Sequence, residues 1–179
     1  VIHIRSMLQA PLHGTGAMAA ANMPVETAED MLAPFAGKVE IAAVNTDTSL
    51  SLAGDADALR AVVALCKKKR IAAKMLDIPY PFHTHFMDAI QEDMGGALSA
   101  ITPRKPQLLF FSTVSGKATR GAVHDAAYWR RNVRQSVLFA PALKTAYGEG
   151  FRFFLEIGPS PVLRSYMRDT LKSSRETVF

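Results

Sequence analysis

The residue in this sequence best placed to move a proton is His83. It follows the apolar stretch Ile78-Pro79-Tyr80-Pro81-Phe82, in which Pro79 and Pro81 hold the residues before them extended. Beyond it Phe86, Ile90, Met94, Leu98 and Ile101 recur at helical spacing, which predicts a helix from near Thr84 to about Ala100. A histidine where a strand stops and a helix starts meets the positive end of the helix dipole. That end disfavours an imidazolium and leaves a neutral ring near pH 7, the state a general base requires. The same features describe a histidine that caps a helix and packs, and on chemistry alone that plainer reading is favoured. His83-x-His85 is also a spacing that metal ligands use, but no third ligand is suggested by spacing and no metal site is expected. Cys66 falls on the apolar face of a lysine-tipped helix, the place of a buried thiol.

The elements that must position His83 follow from pattern. Ile4, Met7 and Leu8 read as the last turns of a helix that Pro11, Gly14 and Gly16 end. Thr15 to Ala21 is a small-residue strand. Pro24 opens a helix carrying Ala28, Met31, Leu32 and Phe35, and Gly37 stops it. Val39 to Asn45 and Ser49 to Ala53 read as a hairpin. Asp55 caps a helix with Leu59, Val62, Val63 and Cys66 on one stripe, and Lys67 to Arg70 close it. Met75, Leu76 and Ile78 form another strand. Strand, helix, strand, strand, helix, strand is the split βαβ, or ferredoxin-like, order. Further on, Leu108 to Val114 reads as a buried strand, Asp125 begins a helix through Trp129, and Pro141 sits at the start of another. Phe151 to Ile157 reads as a strongly apolar strand, and Val162, Leu163, Tyr166, Met167 and Leu171 form a last amphipathic helix. Strands alternating with helices argue for a largely parallel α/β sheet. Two strands are too few to stand alone, so this half is expected to be only part of its layer.

Composition narrows the class. The chain has 179 residues, and 21 basic minus 16 acidic side chains leave a net charge of +5, which suits anionic ligands or acidic partners. One cysteine excludes an internal disulfide framework and fits a reducing, cytoplasmic compartment. No apolar run approaches the roughly 20 residues that cross a bilayer, so no membrane partner is expected. The opening Val1-Ile2-His3-Ile4-Arg5 is no signal peptide and begins in mid-pattern, which suggests a cut chain.

Five segments, with the stretch ending Tyr80-Pro81-Phe82-His83, run in an order that resembles one family. They are Arg5-Ser6-Met7-Leu8 with Gly16-Ala17-Met18; Ala43-Val44-Asn45 with Leu52-Ala53-Gly54-Asp55; Phe111-Ser112-Thr113-Val114-Ser115-Gly116; Tyr128-Trp129-Arg130-Arg131-Asn132-Val133-Arg134-Gln135; and Leu155-Glu156-Ile157-Gly158-Pro159-Ser160-Pro161-Val162-Leu163. The family is that of the malonyl-type acyltransferases, found as domains of type I polyketide synthases and as malonyl-CoA:acyl carrier protein transacylases. The resemblance implies an α/β fold: a ferredoxin-like small subdomain at 15–78 inserted in an α/β-hydrolase-like large subdomain. Residues 1–14 would end a helix of the large part, 79–172 would supply its C-terminal portion, and 173–179 would begin a linker.

The resemblance also implies roles. A serine in a Gly-His-Ser-x-Gly elbow takes an acyl group from coenzyme A, and a histidine, matched by His83, removes its proton and later activates the phosphopantetheine thiol of an acyl carrier protein. This reverses the plainer reading of His83. The position matching the carbonyl that orients the histidine is Gln135; Ser136 stands where relatives usually carry proline. Arg5 matches the arginine that pairs with the free carboxylate of a malonyl-type unit, which a planar guanidinium grips at two points. Phe82 is the selectivity position, where a bulky ring accompanies malonyl units and a serine methylmalonyl units; Tyr80 is more frequent on the methylmalonyl side. Coenzyme A and phosphopantetheine carry the substrate, and no bound cofactor is implied. Neighbouring partners would be the carrier protein and other synthase domains such as a ketosynthase. Arg130, Arg131 and Arg134, like Lys67 to Arg70, are solvated charge or meet coenzyme A phosphates or an acidic carrier protein.

One departure matters. The sequence contains no Gly-x-Ser-x-Gly: Ser6, Ser112, Ser115 and Ser160 lack the flanking glycines. The nucleophile is therefore expected upstream of Val1, and the chain alone is expected to form no acyl-enzyme. Two other classes compete. One is a non-catalytic scaffold or docking piece of a synthase. The other is a ferredoxin-like RNA-binding module, which stacks bases on strand aromatics; the three strand segments from Thr15 to Ala53 carry none, so nucleic acid is not expected.

Overall fold

A computed structural model describes residues 1–172; the linker expected at 173–179 lies outside the described residues. The first helix, α1, spans Ile2–Gln9 and tightens into a 3-10 turn at Ala10–Leu12, where Pro11 cannot continue it. Then follow β1 (Ala17–Ala21), α2 (Val25–Leu32), β2 (Val39–Thr46), β3 (Ser49–Gly54), α3 (Ala56–Lys68) and β4 (Ala73–Met75). The four strands form one antiparallel sheet in the order β2-β3-β1-β4, with Ala19 opposite both Leu52 and Met75. Strand β4 ends earlier than the expected Met75–Ile78, although the Leu76 amide still donates to the Met18 carbonyl at 2.8 Å. Asp55 caps α3 as its residue type predicts, accepting from the Ala58 amide at 2.8 Å.

Alternation sorts the sheet residues to two faces. Ala19, Ala21, Leu50 and Leu52 pack with Ala28, Met31 and Leu32 of α2 and with Leu59, Val62 and Cys66 of α3. Cys66 is fully covered there, and burial pushes its thiol pKa up. The opposite face, Met18, Ala42 and Ala53, receives Leu76, Ile78 and Phe82, so the chain leading to His83 is laid across the back of the sheet.

The second half differs from expectation in three places. The predicted helix at 84–100 is a 3-10 segment, His85–Ile90, followed by a short α4, Gln91–Ala97. The 3-10 winding stacks residues three apart, which puts the buried Met87 and Ile90 on one face. The buried strand expected at Leu108–Val114 shrinks to β5 (Phe110–Ser112), which forms an antiparallel hairpin with β6 (Lys117–Thr119) in place of a parallel sheet. The apolar run Phe151–Ile157 forms no strand. Phe153, Leu155 and Ile157 are 82%, 86% and 92% exposed, and no neighbouring strand among the described residues pairs with them. Helices α5 (Ala126–Arg134), α6 (Phe139–Gly148) and α7 (Arg164–Leu171) complete the chain. Asp125 caps α5, accepting from the Tyr128 amide at 2.8 Å. Between α5 and α6, Val137 pairs in parallel with Ala43, joining this half to the β2 edge. No helix among the described residues is long and apolar enough to cross a membrane.

Candidate active site

The approach to His83 is fixed from beneath. The Gly14 amide donates to the Pro79 carbonyl at 2.7 Å. Gly16 lies so close that a Cβ there would meet the Gly54 carbonyl oxygen at 2.5 Å and Pro81 Cβ at 2.7 Å. Thr84, fully buried, donates its hydroxyl to the Pro81 carbonyl at 2.7 Å, closing a turn around the histidine. Inside that turn His83 adopts a left-handed backbone, φ +61°. Histidine tolerates that region better than most residues, but it still costs about 1–2 kcal/mol.

The left-handed turn brings the ring to the end of α5, where Nδ1 lies 2.9 Å from the Gln135 carbonyl oxygen. A carbonyl only accepts, so Nδ1 carries the proton and Nε2 keeps its lone pair free. The ring's pKa is pushed down from 6.5 to about 4; burial is the main cause, the Gln135 carbonyl opposes it, and the Arg5 charge adds to it. The neutral imidazole expected from a helix dipole is thus present, but desolvation produces it. The following helical segment is 3-10 and begins two residues later.

Arg5 projects from α1. Its Nε donates to Gln9 Oε1 at 3.2 Å and one terminal nitrogen to Asn132 Oδ1 at 3.0 Å. Gln9 is buried, and its own amide nitrogen reaches Met87 Sδ at 3.7 Å. Both acceptors are neutral amide oxygens. Among the described residues no carboxylate lies within ion-pair distance of Arg5, although burial lowers its pKa. A half-buried guanidinium with amide partners alone keeps its charge for something else.

Gln135 stands just past the end of α5 in an extended conformation, its amide donating to the Arg131 carbonyl at 2.8 Å. The next residues lie on β2: the Val137 amide donates to the Ala42 carbonyl and the Val44 amide to the Val137 carbonyl, both at 2.9 Å. The Ser136 hydroxyl donates to the Ile41 carbonyl, so the serine contributes a contact that a proline there would not make. Tyr80 and Phe82 stack face to face at 4.8 Å, and His13 meets Tyr80 edge-on at 5.2 Å. Phe82 also packs on both the Met18 and the Met87 clusters, bridging two cores.

The structure therefore brings Arg5, His83 and Gln135 together, with Phe82 preceding His83 in the chain. Gln9, Asn132 and Glu40 were missed by sequence reasoning. Asn132 lies inside a motif already singled out; Gln9 and Glu40 carry no sequence signal. Glu40, on β2, accepts from the His85 amide at 2.7 Å, from His85 Nδ1 at 2.8 Å and from Arg134 at 2.9 Å. Burial would raise its pKa, but these bonds outweigh it and hold the carboxyl below the usual range. His85 is thus engaged by a carboxylate, and no group of three or more metal-ligating side chains occurs among the described residues. The larger cavities, 460 Å³ along the β5–β6 hairpin and α5 and 480 Å³ beside Leu108 and His124, are lined by neither Arg5 nor His83.

The chain as a whole has counterparts among known proteins, in sequence and in fold. The sequence matches the acyl transferase domain family over residues 1–178, and the chain belongs to that family. It is 38% identical over 170 residues to the mycoketide-CoA synthase of Mycobacterium tuberculosis, covering 95% of this chain and 4% of the synthase. Its fold superposes on the crystal structure of the acyltransferase domain from module 8 of the salinomycin polyketide synthase with a TM-score of 0.92 at 29% identity, covering 95% of this chain and 40% of that one. The malonyl CoA-acyl carrier protein transacylase of Clostridium perfringens shares the fold with a TM-score of 0.89, over 57% of its chain. The chain thus spans a small part of the synthase and about half of the single-domain structures.

Proposed function

We propose that this chain carries the base and the carboxylate grip of a polyketide synthase acyltransferase, one that moves a malonyl-type unit from coenzyme A to the phosphopantetheine thiol of an acyl carrier protein. In this reading residues 15–78 are the ferredoxin-like small subdomain, the remaining described residues belong to an α/β-hydrolase-like large one, and the serine comes from polypeptide outside these residues. The observation that carries the reading is the pairing of Arg5, charged and held by neutral amides, with His83, uncharged and aimed by Gln135.

His83 Nε2 takes the serine proton as the serine oxygen attacks the thioester carbonyl. The carbon–sulfur bond breaks, and the leaving thiolate takes that proton back from the ring. In the second half Nε2 takes the proton of the phosphopantetheine thiol, the sulfur attacks the serine ester, and the serine leaves with the proton. Arg5 holds the malonyl carboxylate through both halves and donates to it at two points. Phe82 occupies the space a branch on the malonyl carbon would need. A ring that titrates near 4 is neutral at pH 7 and available as the base from the start.

The test joins the chain to a family N-terminal half carrying Gly-His-Ser-x-Gly and measures acyl-enzyme by intact mass. Loading from malonyl-CoA that disappears in His83→Ala supports the assignment. No loading from any acyl-CoA leaves the scaffold reading in possession.

A further inference from the structure

Two segments must be held in register for His83 to act as described: the turn that carries the ring, and the end of α5 that offers the carbonyl. The Gln135 side is anchored on β2 by Ser136 and Val137. The turn is closed by Thr84, a tie that lies within the turn and does not fix it against α5. Glu40 touches both, from outside either segment. One oxygen accepts from the His85 main chain and ring, two residues beyond His83, and the other from Arg134, one residue before Gln135. Arg134 also donates to Asp88 in the same 3-10 segment, at 2.9 Å.

We propose that Glu40 is a positioning residue: its single carboxylate sets the distance between the His83 ring and the Gln135 carbonyl. This rests on His83 being the base. As plain glue the group has little to offer, because its side chain and that of Arg134 are 31% and 30% exposed, where ion pairs add little stability. Its geometry is another matter. Three charge-assisted bonds from residues −1 and +2 of the catalytic contact converge on one carboxylate, and such bonds are short and directional. Glu40 sits on β2, so the four-stranded sheet serves as the datum from which both halves of that contact are measured.

The experiment follows the ring, in the 179-residue chain labelled with ¹⁵N. The readouts are exchange of the His83 Nδ1 proton with water and the pH midpoint of the His83 ring. In Glu40→Ala, exchange is expected to quicken about ten-fold or more as the contact opens more often. The midpoint is expected to climb from about 4 toward 6.5 as water reaches the ring. The melting transition should stay cooperative. A folded Glu40→Ala with wild-type exchange and midpoint overturns the proposal. Should Glu40→Ala not fold, Glu40→Gln decides: it keeps an acceptor for the His85 amide but sets a neutral amide against Arg134, so exchange should quicken about three-fold or more, and an unchanged rate overturns the proposal. Because the readout is the ring, the answer is independent of acyl loading, and a failure here is distinct from a failure of the transferase reading.

Discussion

Acidification tests the state of His83 without any substrate. In the unfolded chain the ring should titrate at 6.5, and in the folded protein at about 4. Between those values the unfolded state binds a proton that the native state refuses, so stability is complete above the unfolded value and falls as pH drops toward 4. The interval is about 2.5 pH units, and each is worth about 1.4 kcal/mol, which sets a ceiling of about 3.5 kcal/mol. At pH 5 the loss attributable to this ring is about 2 kcal/mol. The control is His83→Asn, which tolerates a left-handed backbone, can still donate to Gln135 and does not titrate. Urea unfolding followed through the only tryptophan, Trp129, at pH 7.5, 6 and 5 gives both curves. The carboxyl groups, Glu40 included, are common to both proteins and cancel in the difference. The wild type should lose about 2 kcal/mol more than the variant between pH 7.5 and 5. Parallel curves would mean that the ring titrates normally and that desolvation is not what keeps it neutral.

Arg5→Ala in the completed domain should cut malonyl transfer by about 10- to 100-fold, the loss of one charge-assisted carboxylate contact, and relatively favour acyl groups without a carboxylate; an unchanged preference removes the grip. Phe82→Ser should raise methylmalonyl over malonyl use by about ten-fold, measured by competition between the two thioesters, because one methyl is worth about 1–3 kcal/mol in a pocket. It should also lower the melting temperature, since the ring bridges two cores; a lower melting temperature with no change in selectivity would make Phe82 a packing residue only. Thr84→Val keeps the side-chain shape but strands the Pro81 carbonyl, at a cost of about 1–3 kcal/mol in denaturant unfolding; a smaller change would mean that the turn closes without the hydroxyl.

The sequence disclosed what is local. The Asp55 and Asp125 caps, the helical stripe of Leu59, Val62 and Cys66, and the order of elements from β1 to β4 depend on residues close in the chain, and they are found as read. It was poor where one element's state depends on another. Phe151–Ile157 has the composition of a buried strand, but a strand is defined by its neighbour, and the described residues offer it none. The helix after His83 followed its apolar spacing only loosely, because Met87 and Ile90 suit a three-residue repeat as well as a longer one, and Gly95 with Gly96 weaken its far end. In the site, the place of His83 was legible from its proline-rich approach, while the cause of its neutrality was not, since burial is a property of the assembled fold. Glu40 was invisible for the same reason: its partners lie 45 and 94 residues away.

The left-handed backbone of His83 means that this position is maintained against its own conformational preference. A glycine there would relax the main chain, and selection for heat resistance alone would drift toward it. Keeping the imidazole is therefore a small standing debt, which the clasp of Thr84 and the docking of Gln135 must service in every folded molecule.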